Sequence, residues 1–179
     1  MDFMTPHANR TGEIIDLFIS TFTNSEGAAE GELIGKLVAD MFATVDAADL
    51  FVYSALEGGR TAGTIVFTRL EYPEDERTVF ILGPVAVATG RQGKGVGRTL
   101  LNHGLTNLTE NGVDVALTYG DVDFYAKVGF ARITGGVASP PLPLKYPEAW
   151  LGQSLNDRPL DPLKGPSSCV AALNDPAYW

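Results

Sequence analysis

The chain has 179 residues, of which 45% are hydrophobic and 20% charged, and its formal net charge at pH 7 is −9. This composition excludes a disordered or fibrous protein, and the length suits one globular domain over residues 1–179 with a sizeable core. No apolar run reaches the ~18 residues of a membrane span and the N-terminus lacks a signal-peptide pattern, so we expect a cytoplasmic protein.

The cysteine count and the acidic balance exclude further classes. Cys169 is the only cysteine, which rules out an intrachain disulfide and a zinc site built on a cysteine cluster. Duplex nucleic acid is bound largely through Lys and Arg contacts to phosphate, and 13 such residues stand against 22 Asp and Glu. We therefore expect no metal, no nucleic acid and no membrane as a partner.

The N-terminal part is predicted to hold two helices. Residues 1–10 form a short irregular arm in this interpretation, and apolar side chains then recur at helical spacing over residues 13–22. A small, acidic loop follows over residues 24–30. A clearer amphipathic pattern over residues 33–42 predicts the second helix.

An antiparallel meander is predicted next. Residues 48–56 and 61–72 are strand-like and are joined by a glycine-containing turn, and a third strand covers residues 77–87. Gly83 and Pro84 lie inside that third strand, where glycine weakens a strand and proline removes a ladder donor. We expect a bulge or break there, or else an edge strand whose proline faces solvent.

A glycine-rich turn then leads into an amphipathic helix. Gly93, Gly95 and Gly97 alternate, and Arg91, Lys94 and Arg98 add positive charge. Amides at a helix start have no internal partner and lie at the positive end of the helix dipole, so we expect an anionic cofactor here. The dinucleotide motif G-x-G-x-x-G fails because position 98 is Arg, and the triphosphate loop fails because Gly follows Lys94.

The last strongly patterned segment follows this helix. Residues 113–119 alternate like a strand, and residues 120–123 follow with turn and N-cap chemistry. Residues 124–130 then predict a single helical turn that Gly129 closes. Beyond Gly135 the chain becomes proline-rich but stays too apolar for disorder; we expect a short helix within residues 147–155 and a final strand over residues 167–173.

Two of these segments carry a family resemblance. The pattern Q-x-x-G-x-G, formed by Gln92, Gly95 and Gly97, resembles the acetyl-CoA signature of the GNAT superfamily of N-acetyltransferases. The string F-Y-x-K-x-G-F at residues 124–130 is similar to the segment that carries a tyrosine beside the CoA sulfur in that family. Together they cover residues 79–134, and the C-terminal extension resembles that of a bacterial branch, the YhbS-like proteins.

The resemblance implies an α/β fold with a mixed, mostly antiparallel central sheet, splayed at the cofactor site, and helices on both faces. It implies an acyl-CoA-binding core over residues 1–134, on which the extension at 135–179 packs. It also implies acetyl-CoA as co-substrate, with cofactor-binding positions at Val85, Ala86, Val87, Arg91, Gln92, Gly93, Lys94, Gly95, Val96, Gly97, Arg98 and Phe124.

The implied activity is transfer of an acetyl group to a primary amine of a small molecule or peptide by direct attack. A backbone N–H within residues 85–87 is the candidate oxyanion donor, and Tyr125 is the candidate catalytic residue at the sulfur, or else an aromatic side chain that only packs. The general base stays open among five carboxylates and a water chain. These carboxylates are Glu26, Glu30, Glu57, Glu71 and Asp123.

Two other functions remain alternatives. The same fold can serve as an acyl-CoA-binding sensor without catalysis, although the presence of Tyr125 favours the enzyme. A structural protein with a degenerate site would not need the glycine pattern and the basic cluster. A homodimer is one candidate assembly, and the acceptor amine is not indicated by any motif.

Overall fold

The computed structural model describes residues 1–5 and 7–179, and the chain forms two compact units. Unit 1 comprises Met1–Phe67 and Pro84–Gly104, and unit 2 comprises Thr68–Gly83 and Leu105–Trp179. A single domain with a core that ends at residue 134 stays a prediction.

Unit 1 opens with two long helices, α1 (Thr11–Glu26) and α2 (Ala28–Thr44). The predicted helices are confirmed, but the loop predicted over residues 24–30 is wrong. Gly27 alone separates the helices, with φ +103°. Glycine adopts such a conformation without a Cβ clash, so both helices extend up to this one residue.

Four strands contribute to unit 1 in the spatial order β1-β2-β3-β4. They are β1 (Asp2–Met4), β2 (Leu50–Glu57), β3 (Arg60–Glu71) and β4 (Val79–Val87). The prediction of an irregular arm is therefore wrong at β1, which pairs antiparallel with β2. Pro6, which also belongs to the predicted arm, lies outside the described residues. The third helix, α3 (Val96–Glu110), begins in unit 1 after the glycine-rich turn.

In unit 2 the spatial order is β3-β4-β5-β7-β6. The new strands are β5 (Val115–Tyr119), β6 (Ala131–Arg132), β7 (Trp150–Ser154) and β8 (Ser168–Cys169), which pairs with the end of β3. β4 and β5 run parallel, whereas β7 is antiparallel to both β5 and β6. This arrangement confirms the predicted mixed, mostly antiparallel α/β sheet.

The C-terminal segment differs from its sequence prediction. The helix expected within residues 147–155 is only a 3₁₀ turn at Pro147–Ala149. The chain then forms strand β7, which supplies hydrogen-bond partners to the backbone groups on the free edge of β5. The strand expected over residues 167–173 is limited to Ser168–Cys169 and is followed by a 3₁₀ turn at Ala171–Leu173.

Each unit has its own apolar core. Unit 1 fully buries side chains such as Phe18, Met41 and Phe67, and unit 2 fully buries Phe80 and Trp150. None of the helices in residues 1–5 and 7–179 combines the length and the apolarity that a membrane span needs.

Candidate active site

The second half of β4 leads into the candidate cofactor site of unit 1. The pairing of β4 with β5 ends at Leu82 and Thr118, and Gly83 follows with φ +155° before Pro84. β4 itself continues without interruption to Val87, so the predicted break appears only as the end of its pairing with β5. Beyond it, Ala86 is buried while Val85 and Val87 are partly exposed, and the amide of Ala88 donates to Ala62 O at 2.9 Å.

The turn between β4 and α3, residues 89–98, is here called the glycine loop. It begins with a 3₁₀ turn, and Gly93 and Gly95 have φ values of +72° and +83°. Gly97 already lies within α3. Among the described residues no hydrogen-bond acceptor is found for the backbone amides of residues 93–98, and the next amide, that of Thr99, donates to Gly95 O. Free amides at a helix start form an anion-binding site.

The side chains of the glycine loop are mostly held by local contacts. Gln92 Nε2 donates to Val87 O at 3.0 Å, and Lys94 Nζ donates to Gly90 O at 3.0 Å. Arg91 Nε lies 2.6 Å from Glu57 Oε2. Arg98 is exposed and has no hydrogen bond or ion pair within residues 1–5 and 7–179. The loop therefore offers free amides and one unengaged cation.

Tyr125 lies in unit 2, in the short helix α4 (Val122–Tyr125). Asp121 Oδ1 caps this helix by accepting from Phe124 N at 3.1 Å, and Gly129 ends the segment with φ +96°. The Tyr125 ring is buried and makes edge contacts with Phe124 and Phe130, at centroid distances of 5.0 and 5.8 Å. Burial raises the pKa of Tyr125 to about 12, so its hydroxyl is a hydrogen-bond donor at neutral pH.

The five candidate bases have different surroundings. Glu26 and Glu30 lie in helical turns of α1 and α2 and not in the loop that was predicted around them. Glu57 is engaged with Arg91. Glu71 ends β3 on the surface, and Asp123 is exposed in the first turn of α4. None is thereby identified as the base, which stays open.

Sequence reasoning missed three residues of these two sites. Glu57 entered only as a candidate base, although it anchors Arg91 of the glycine loop. Thr118 Oγ1 is buried and donates to Leu82 O at 3.0 Å, and a Cβ on Gly120 would lie 2.9 Å from the Tyr125 ring. No sequence signal was available for these contacts, because Thr118 and Leu82 are 36 positions apart.

Both histidines pack against aromatic rings. His103 stacks on Phe3 at 4.1 Å, and His7 stacks on Phe42 at 4.3 Å. Within residues 1–5 and 7–179, no three His, Cys, Asp or Glu side chains are grouped as metal ligands would be.

A glycine loop that follows a strand and a capped helix that carries a buried tyrosine are the two local features of the candidate site. The model of the acetyltransferase (GNAT) family matches residues 11–130. The chain belongs to this family. The match confirms the family and the enzyme class, an acyltransferase, that the two motifs predict.

Individual GNAT relatives agree with this assignment. The N-acetyltransferase YjhQ of Escherichia coli strain K12, itself uncharacterized, is 30% identical over 136 residues, which is 73% of each chain. Two solved structures are 23% identical to this chain and share its fold. A GNAT acetyltransferase from Brucella melitensis in complex with acetyl-CoA has a TM-score of 0.74 over 97% of both chains. YhbS from Escherichia coli in complex with CoA has a TM-score of 0.76 over 97% of this chain and 91% of its own.

Proposed function

We propose that this GNAT protein transfers an acetyl group from acetyl-CoA to a primary amine of a small molecule or peptide, by direct attack of the neutral amine. The observation that carries the proposal is the row of free amides at residues 93–98. Two solved proteins of the same fold have acetyl-CoA or CoA bound.

The glycine loop fits a diphosphate. Gly93 and Gly95 adopt positive φ values, the backbone conformation on which anion-binding nests depend, and Arg98 adds an uncompensated positive charge. Gln92 holds the start of the loop by donating to Val87 O. In this proposal the amides of residues 93–98, Arg91, Lys94 and Arg98 hold the diphosphate, and a backbone N–H within residues 85–87 stabilises the oxyanion.

The acetyl-CoA supplies the activated thioester, and Tyr125 stabilises the leaving sulfur. A phenol with a pKa of about 12 would have to give its proton to a thiolate whose pKa is ~8.5, an uphill transfer of about 5 kcal/mol. Tyr125 therefore acts by donating a hydrogen bond, and the proton stays on the phenolic oxygen. The base that takes the proton of the amine is not assigned.

The acceptor is proposed only as a class. One protein of the same fold is an aminoglycoside 6'-N-acetyltransferase complexed with coenzyme A, with 15% identity and a TM-score of 0.62. That likeness supports an amine acceptor in general and does not select one. The homodimer, the cytoplasmic location and the absence of nucleic acid and membrane partners stay predictions.

Two measurements test the proposal in sequence. Titration calorimetry with acetyl-CoA is expected to give saturable heat, and acetyl-CoA at 100 times its Kd should add about 2.7 kcal/mol to the free energy of unfolding. A thiol-release screen over polyamines, amino sugars, amino acids and peptides is then expected to find an amine that releases CoA. Absence of heat would refute the cofactor assignment, and binding without thiol release would favour the acyl-CoA sensor instead.

A further inference from the structure

The glycine loop starts with a 3₁₀ turn, Thr89–Arg91, that lies next to a backbone bond to β3. The amide of Arg91 donates to Ala88 O at 2.7 Å, and the amide of Ala88 donates to Ala62 O at 2.9 Å. Beyond this turn, the amides of residues 93–98 have no hydrogen-bond acceptor among the described residues. The direction of these free amides therefore depends on how firmly the turn before them is held.

Asn24 reaches the turn from α1. It lies in the last turn of that helix, and its Nδ2 donates to Thr89 Oγ1 at 3.1 Å, across 65 positions of sequence. The helix is a firm base, because Ile14 and Phe18 are fully buried. Asn24 and Thr89 are both exposed, so we expect the loss of their hydrogen bond to loosen the turn without unfolding the protein.

Glu57 reaches the same turn from β2. It is the last residue of that strand, and its Oε2 lies 2.6 Å from Nε of Arg91. A carboxylate beside an anion site repels the anion, so attraction of the cofactor does not explain this position. An ion pair that fixes the end of the turn does explain it. The pair also leaves Nη1 and Nη2 of Arg91 without an acceptor in the part of the chain that the structure describes.

We propose that Asn24 and Glu57 are positioning residues for the glycine loop. They hold the turn Thr89–Arg91 from α1 and from β2, so that the amides of residues 93–98 keep the direction in which they bind a diphosphate. Asn24 acts through Thr89, and Glu57 acts through Arg91. The inference rests on the proposed function insofar as the diphosphate of acetyl-CoA is the anion that these amides bind.

The first test is Asn24→Leu in the full chain, which removes the donor and changes no charge near the anion. Hydrogen exchange followed by NMR should show that the protection of the amides of residues 91 and 92, which donate within the turn, falls about 2- to 5-fold. The amides of Leu100 and Leu101 in α3 should keep their protection. Calorimetry should find that the Kd for CoA rises by a similar factor.

Thr89→Val removes the acceptor of the same hydrogen bond. The double variant of Asn24→Leu and Thr89→Val should lose no more protection than either single variant, because both remove one interaction. Asn102→Leu is the matched control, since Asn102 is exposed on α3 and has no partner among the described residues. It should leave the protection and the Kd unchanged. Unchanged protection or an unchanged Kd in Asn24→Leu would overturn the role of Asn24, as would additive losses in the double variant.

Glu57→Gln tests the second contact in ligand-free protein, where repulsion of the cofactor plays no part. The protection of the amides of residues 91 and 92 should again fall about 2- to 5-fold. In an Arg91→Gln background the same substitution should have no further effect. Asp40→Asn is the control, because it breaks the ion pair with Lys36 on α2 and changes the net charge equally.

Full protection in Glu57→Gln, or an equal loss in the Arg91→Gln background, would overturn the role of Glu57. Hydrogen exchange is read without ligand, so it separates this inference from the proposed function. Wild-type protein that gives no heat with CoA would refute the cofactor assignment, while the protection of residues 91 and 92 would still show whether Asn24 and Glu57 hold the turn.

Discussion

The glycine loop of unit 1 and the tyrosine segment of unit 2, residues 118–130, use different physical means. The glycine loop is exposed and depends on backbone amides, two positive φ values and short-range contacts such as Lys94 to Gly90. In the tyrosine segment, the Tyr125 side chain is buried and packs against the rings of Phe124 and Phe130, while the hydroxyl of Thr118 donates to Leu82 O, 36 positions away.

Because of this difference, we expect the two sites to be sensitive to different kinds of mutation. An anion site made of amides should tolerate changes of side chain but not of backbone conformation. A hydrogen-bond donor that is held by packing, such as the Tyr125 hydroxyl, should lose its position when single atoms around it are removed. Single substitutions at both sites test this contrast.

Removal of the Tyr125 hydroxyl should have the largest effect. We expect Tyr125→Phe to lower kcat roughly 10–10³-fold, because the donor to the leaving sulfur is lost. The affinity for acetyl-CoA measured by calorimetry should be retained, since the diphosphate is held in the glycine loop. An unchanged kcat would remove Tyr125 from the mechanism.

In unit 2, the loop that joins β3 and β4 is held by hydrogen bonds to residues distant in sequence. Arg77 donates to Asp75 through Nη2 at 2.7 Å and also to Asp161 O and Pro162 O, so it ties this loop to the C-terminal segment. Asp75→Asn should lower the free energy of unfolding by about 1–3 kcal/mol at pH 7. Denaturant unfolding measures this, with the exposed Asp157→Asn as the control that should change nothing.

The same pair predicts a pH dependence. The hydrogen bonds from Arg77 hold the pKa of the Asp75 carboxyl well below its usual range. A depressed folded-state pKa gives stabilisation that is complete above the unfolded value of ~3.9 and is lost as the pH falls toward the folded value. The stability difference between wild type and Asp75→Asn should therefore shrink below pH ~4. A difference that grew on acidification would contradict this assignment.

Backbone conformation should matter most in the glycine loop. Gly95→Ala places a Cβ on a residue with φ +83°, which costs about 1–2 kcal/mol, and we expect the Kd for CoA to rise about 10-fold as the amides reorient. Gly90→Ala is the control, because a Cβ there meets no atom within 4 Å. Equal CoA affinities in the two variants would show that positive φ is not required.

Side-chain charge should have the smallest effect. Arg98 is exposed, so Arg98→Gln should weaken CoA binding only about 2- to 5-fold at low ionic strength, and high salt should remove the difference. Lys36→Gln on the exposed surface of α2 changes the net charge equally and should not affect the Kd. A large, salt-independent loss at Arg98 would mean that side chains, and not amides, dominate the site.

Much of the site could be predicted from the sequence because its determinants are local. The positive φ values of Gly93 and Gly95 and the Gly129 cap each depend on residues within one turn, and the structure has them where the patterns indicate. The length of α1 could not be predicted in the same way, since a single residue, Gly27, replaces the expected loop.

Short stretches of sequence were enough to predict the family, the α/β class, the free amides of the glycine loop and the position of Tyr125 in a capped turn. The three-dimensional fold was needed to show that residues 150–154 form strand β7, that Glu57 anchors Arg91, and that Thr118 donates to Leu82 O. Local backbone preferences and helix ends are encoded in neighbouring residues. Strand partners, ion pairs and ring contacts instead join residues that only folding brings together.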